Sequence, residues 1–387
     1  MLVTACGSSA RDNPNNPGTN NPGTNNSACA VTLREDIRLS TVLKNTVSAC
    51  DYLISPDPSD VGVRSLEVSN GTLTIEPGTV IRFNEGGELR IGERASLQAV
   101  GTAQQRIRFE GAAPVKGYAY GIDISSESLE TSIAYADFAY LGRVSVQGRE
   151  GGAITGLGGG GVRLSNLSVT GSNDYGLDLA DLPLLEFSQN TFADNANASL
   201  KVTASQVSLL DEASDYDTVI SVMGLFDSDR LGENVTWKSL NAPYLIEESL
   251  YVEGIELTLE PGVAMLFDEG ESLAVRDGGT LTAVGSPNRP IIFAGLSESP
   301  GYWDGISFSS ASPDSRLEYS IVAYAGGGAI YEGSVTLAYQ ESAYIANSSI
   351  IGSGQWGICA DAGAFLELGP GNTFSNNALG DVNTDCD

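Results

Sequence analysis

Few side chains in this sequence could carry covalent chemistry, and the commonest biological proton shuttle is missing, since the 387 residues include no His. That removes Ser-His-Asp and Cys-His nucleophiles, HExxH zinc sites and imidazole acid–base steps. Carboxylates are plentiful, with 49 Asp and Glu against 20 Lys and Arg and a formal charge of -29. A pair of them about 5–9.5 Å apart would suffice for glycoside hydrolysis. A denser group could instead hold Ca2+, which takes six to eight oxygen ligands. Asp211, Glu212, Asp215 and Asp217 form such a run, with Asp227 and Asp229 following. No EF-hand or GGxGxDx pattern accompanies it, so it reads first as a solvated connector, and Ca2+ is the one cofactor it could take. Asn383-Thr384-Asp385 offers a lone carboxylate beside a cysteine, and Gly156–Gly161 lacks the Lys-Ser/Thr of a phosphate loop and reads as a tight corner. Tyr118, Tyr120, Tyr302 and Trp303 are the side chains best suited to a ligand. Exposed aromatics on a rigid β-surface stack on sugar rings or anchor protein partners, whereas buried ones pack a core.

The composition narrows the setting for these groups. Charged residues are 18%, and 46 Gly and 15 Pro demand many turns. A surface this acidic repels phosphate backbones, which argues against nucleic acid as a partner. No run of 18 apolar residues occurs, so no helix is long enough to span a bilayer.

The N-terminus and the cysteines point to export. Val3-Thr4-Ala5-Cys6 resembles the end of a bacterial lipoprotein signal, an aliphatic residue and two small ones before the cysteine that receives lipid. Only Met1 and Leu2 stand where the basic and apolar regions of such a signal belong, so Met1 reads as a misplaced start or a truncation within the signal. Residues 7–28 hold the tandem NNPGT and almost no apolar side chain, which predicts a disordered tether spanning roughly 25 Å. With Cys6 lipidated, Cys29, Cys50, Cys359 and Cys386 allow three pairings. The two local bridges, 29–50 and 359–386, are favoured because each would clasp one margin of the folded body.

A duplication organises the rest. Residues 73–142 align with 257–326 without a gap, at an offset of 184 (257 less 73), and 27 of the 70 positions are identical. Leu73-Thr74-Ile75-Glu76-Pro77-Gly78 matches Leu257-Thr258-Leu259-Glu260-Pro261-Gly262, and Gly117-Tyr118 matches Gly301-Tyr302. Two modules follow, 29–217 and 218–387. Within each, short apolar runs such as LTI, VIRF, ELRI, SLQAV and IRF alternate and are broken by Gly, Pro and Asn. Coils of about 20–25 residues, with Phe83, Phe109, Ile133 and Leu164 one per coil, predict an all-β solenoid of parallel strands whose inward side chains stack from coil to coil. Asn166, Asn190, Asn195, Asn347, Asn372, Asn376 and Asn377 are placed at its corners, bonding one another in ladders.

The run from Leu257 to Gly295, then Gly301–Phe308 (GYWDGISF) and Leu317–Gly327, resembles bacterial right-handed parallel β-helix repeat proteins with the pectin-lyase-like fold. The first copy departs from this pattern, with Ala119-Tyr120 in place of Trp303-Asp304. The resemblance implies a right-handed β-helix over about residues 30–387, and it implies little about activity, because the fold serves enzymes and adhesins alike. Hydrolases of the family carry a His and an RIK-type segment, and this chain has neither. The expectation is therefore a non-enzymatic, lipid-anchored cell-surface rod for adhesion, binding or envelope structure. Its partners would be a membrane, reached through the lipid, and polysaccharide or matrix proteins. The lack of an acidic residue directly after Cys6 implies the outer membrane. The alternative is a carbohydrate-active lyase or hydrolase using carboxylates or Ca2+.

Overall fold

The computed structural model describes residues 29–55, 64–144, 150–224, 233–328 and 332–386. Cys6, the tether over 7–28, Asp227 and Asp229 lie outside the described residues. The chain divides into two compact units between Ser199 and Leu200, so the boundary read from the duplication, 217/218, falls inside the second.

In the second unit, parallel strands form three sheets, visited in turn as the chain coils. Sheet A includes Tyr244–Ile246, Ala264–Phe267, Ile291–Gly295, Ser320–Ala323, Ser349–Ile351 and Thr373–Ser375. Sheet B includes Leu250–Glu253, Ser272–Arg276, Gly305–Ser309, Gly333–Leu337, Trp356–Asp361 and Gly380–Cys386. Sheet C includes Val235–Trp237, Glu256–Leu259, Thr280–Val284, Arg316–Glu318, Ser342–Ala346 and Phe365–Leu368. The strands are short because each spans one side of the coil. They alternate because one side chain in two faces the interior.

The first unit follows the same course, but its strands join into one 13-stranded sheet. The segments ELRI and SLQAV are parts of a single strand, Gly87–Val100, which rounds the B-to-C corner. Its first part pairs with Gly121–Ile124 and its last with Ser132–Ala134.

The core is a column of registered side chains. In the first unit Ile81, Phe109, Phe138, Val169 and Phe192 stack in successive coils. In the second the column is Met265, Phe293, Val322, Ile350 and Phe374. Phe109 and Phe138 stack with ring centroids 4.8 Å apart. Each such ring contributes roughly 1.5–3 kcal/mol of burial free energy. Some coils have the expected 20–25 residues, as from Leu250 to Leu273 (23) and Leu257 to Leu281 (24), and others are longer: Val80 pairs with Arg108, 28 residues on, and Thr282 with Arg316, 34 on. Ile133 and Leu164 lie on the C side, not in one file with the sheet A phenylalanines Phe83 and Phe109. Insertions at the corners lengthen the coil without disturbing the column.

The corner asparagines divide into two kinds. Asn166, Asn347 and Asn376 hold left-handed backbone, with φ of 55°, 50° and 56°. Asn190 accepts from the Leu167 amide at 2.9 Å and donates to the Leu164 carbonyl at 3.4 Å. Asn195, Asn372 and Asn377 do the same for the Ser172, Ser348 and Ser353 amides. The expected Asn–Asn ladder is thus corrected for these four. Their side chains satisfy backbone of the preceding coil, where an unpaired buried amide would cost about 1–3 kcal/mol.

Candidate functional site: the tyrosine corners

The corner between sheets A and B carries the aromatic residues singled out above. After Ile107–Gly111 the chain loops through Tyr118 and Tyr120 before Gly121–Ile124 begins. The Tyr118 amide donates to the Tyr140 carbonyl at 2.9 Å, and its carbonyl accepts from Gly86 at 3.0 Å. Tyr302 repeats this in the second unit, donating to the Tyr324 carbonyl at 2.9 Å and accepting from Gly270 at 3.0 Å. The loop tyrosine is therefore tied to the coils on either side of it, in both copies.

Tyr140 and Tyr324 complete the corner. Both hold left-handed backbone, with φ of 60° and 64°, an outlier for a bulky side chain. The next coil has a glycine at each place, Gly171 and Gly352. A Cβ there would lie 3.0 Å from the tyrosine ring, so the rings rest where only glycine leaves room. The pairs Ala139-Tyr140 and Ala323-Tyr324 are identical in both copies, a signal that by itself marks framework and not surface. All four tyrosines are half-buried.

The two corners differ in charge. Arg143 lies 3.3 Å from Glu85 and 3.4 Å from the Tyr118 carbonyl, and Lys116 pairs with Asp194 at 2.6 Å. The Tyr302 hydroxyl instead donates to Asp268 at 2.9 Å, and that bond pushes the phenol above its ordinary pKa. Beside it, burial and then the charge of Glu271 push the Asp304 carboxyl up.

Trp303 is not at this surface. It is fully buried, stacks on Phe267 at 4.0 Å, and donates its indole N–H to the Ala323 carbonyl at 2.9 Å. As a ligand candidate it is corrected to a core residue, because a ring sealed between coils offers no face to a sugar. Tyr120 is half-buried, near Gly86.

The acidic run is spread out. The Ser214 hydroxyl donates to Asp211, whose backbone carbonyl accepts from Tyr216 at 3.3 Å, while Asp215 accepts from Asn241 at 2.7 Å. Among the described residues, the group placing three metal-ligating atoms within 4.8 Å is Glu332, Cys359 and Cys386. Those cysteines are bonded to each other, as are Cys29 and Cys50, so the sulfurs are not thiolates. Asn383 and Asp385 sit in the exposed last strand, Gly380–Cys386. Gly156–Gly161 packs on the coil before it, with the Gly160 amide donating to the Ser126 carbonyl at 3.1 Å.

No family model, no curated protein and no solved structure matches this chain.

Proposed function

We propose that this chain is a non-enzymatic, lipid-anchored cell-surface protein whose β-solenoid units present a rigid surface for carbohydrate or matrix protein. The observation that carries this reading is the duplicated tyrosine corner. Half-exposed rings fixed by backbone bonds to neighbouring coils lose little entropy on binding, which suits sugar stacking. Two disulfides fit an oxidising, exported setting. The lipobox-like Val3–Cys6 and the likeness to right-handed, pectin-lyase-like β-helix proteins support a surface address and an outer-membrane anchor.

A glycan and matrix-protein array tests the binding role. Wild type is expected to retain ligands that Tyr118→Ala/Tyr140→Ala and Tyr302→Ala/Tyr324→Ala variants lose. Equal retention by all three would refute the corner. Labelling cells with a lipid precursor tests the anchor, with label lost in Cys6→Ala.

One observation favours a second reading, a carbohydrate-active enzyme. Burial and then the charge of nearby Glu271 push the Asp304 carboxyl up, the direction a general acid requires. Turnover on a polysaccharide panel, run with and without chelator and abolished by Asp304→Asn, would favour it over the first.

A further inference from the structure

We propose that the outer face of sheet A in the second unit is a docking surface for a second copy of this chain. Strand alternation fixes which residues face out. Met265, Phe293, Val322 and Ile350 fill the core, so their neighbours in the strands point the other way. Leu266, Ala294, the buried Ala323 and Ile351 form one outward row, and Ala264, Ile292, Ile321 and the polar Ser349 a second. All of these but Ala323 are partly exposed.

The duplication shows that this face has been altered. Leu266, Ile292, Ala294 and Ile321 align with Arg82, Arg108, Glu110 and Asp137 of the first unit. There the same sheet is polar: Arg82 pairs with Glu110 at 2.8 Å, and Arg106 with Asp137 at 2.7 Å. Four positions charged in the first unit are apolar in the second. The change falls in the more acidic part of the chain. Residues 1–199 hold 14 basic and 22 acidic residues, a net of -8, whereas 200–387 hold 6 and 27, a net of -21.

That charge pattern selects the occupant. A basic partner would be drawn by acids left in place, as Glu110 and Asp137 are in the first unit. Clearing charge from one face of a strongly acidic unit helps most when the approaching surface carries the same charge, which a second copy does. The size also fits. Four strands about 4.8 Å apart, with Tyr319 and Tyr324 flanking the third, make a face of roughly 20 by 20 Å. Two such faces meeting about 10 Å apart would bury roughly 800 Å² in total, the scale of a weak, concentration-dependent contact. The contact would be isologous, each copy offering the same patch.

Sedimentation velocity of the full chain with its disulfides intact tests this, over about 1 to 100 µM at physiological salt. The expected result is a concentration-dependent dimer that strengthens as salt screens the like charges. The variant Leu266→Arg/Ile292→Arg/Ala294→Glu/Ile321→Asp, which installs the first unit's own residues, should raise the dissociation constant about 100-fold or more. A wild type that stays monomeric, a dimer that weakens with salt, or a variant that dimerises as tightly would overturn the proposal. If circular dichroism shows that the variant does not fold, maleimide labelling decides. Ile321→Cys should be protected as concentration rises while Asp137→Cys is not, and equal labelling of both would count against the interface.

Discussion

The B-to-C corner is built differently in the two units. In the first, Gly92-Glu93-Arg94-Ala95 stays extended inside the strand Gly87–Val100. In the second, the aligned residues are Arg276-Asp277-Gly278-Gly279, and Asp277 and Gly278 take φ of 50° and 79°. The Gly279 amide then closes a turn on the Arg276 carbonyl at 2.9 Å, and the strand ends. Yet Leu97 and Leu281, on the far side of the corner, are both fully buried. Local turn chemistry thus decides whether a corner is a bend or a break, while the inward column decides the coil. The same independence lets the outer faces drift, to ion pairs on sheet A of the first unit and to aliphatics on that of the second.

The largest expected effect concerns the one core position where the copies differ most, Ala119 against Trp303, both fully buried. Trp303→Ala should destabilise the second unit by about 3–5 kcal/mol, through lost burial and a cavity against Phe267. Ala119→Trp should destabilise the first by about 1–3 kcal/mol, because its core is closed around the smaller residue. Urea unfolding followed by circular dichroism measures both. If Ala119→Trp stabilises instead, the two cores are interchangeable and the comparison fails.

Next come the clasps, Cys29–Cys50 and Cys359–Cys386, with sequence separations of 21 and 27. Loops of that size imply about 3 kcal/mol each. Pairwise Ser variants should differ in location more than in size. Loss of the 359–386 bridge should speed amide exchange in Gly380–Cys386, where six of seven residues are exposed or half-exposed, and leave the first unit unchanged.

A smaller contrast involves the corner asparagines. Asn190 is fully buried, whereas its counterpart Asn372 is half-buried. Asn190→Ala should cost about 1–3 kcal/mol and Asn372→Ala less, since water can reach the orphaned Ser348 amide. Equal costs would mean that burial does not govern these side chain–backbone bonds.

The smallest effect is electrostatic and confined to the second unit, where Asp304 replaces Tyr120. Burial, then Glu271, raises the Asp304 pKa in the folded state. A raised folded pKa favours folding below the unfolded value and loses that contribution as pH rises through the folded one. Asp304→Asn should therefore melt above wild type at pH 7, and the gap should close as pH falls past about 4. A gap that widens in acid would reverse the assignment.

How much of this was legible in the sequence follows from the same separation of core and surface. LTI, VIRF and IRF fall within strands because alternation reports an inward face directly. The coil length holds for some coils and not for the longer ones, and Phe83, Phe109, Ile133 and Leu164 do not mark one file, because they look equivalent in hydrophobicity while lying on different sides of the coil. Nothing in composition distinguishes Trp303, sealed on Phe267, from Tyr302 beside it, which bonds Asp268 at the surface. That difference arises from strand phase, and phase is reset by each irregular corner. The apolar outer face was hidden for a related reason: Ile321 and Val322 are adjacent and alike in sequence, but one faces out and the other in.

Everything above depends on strands pairing in parallel with their counterparts one coil away, and paired cysteines test that register directly. Thr282 and Arg316 are partners on adjacent strands, so their Cα atoms lie about 4.8 Å apart, within disulfide range. Thr282→Cys/Arg316→Cys is expected to cross-link under mild oxidation, as read by peptide mass spectrometry, while Thr280→Cys/Arg316→Cys, out of register by two residues, is not. Cross-linking of the second pair in preference to the first, or of neither in a folded protein, would contradict the solenoid.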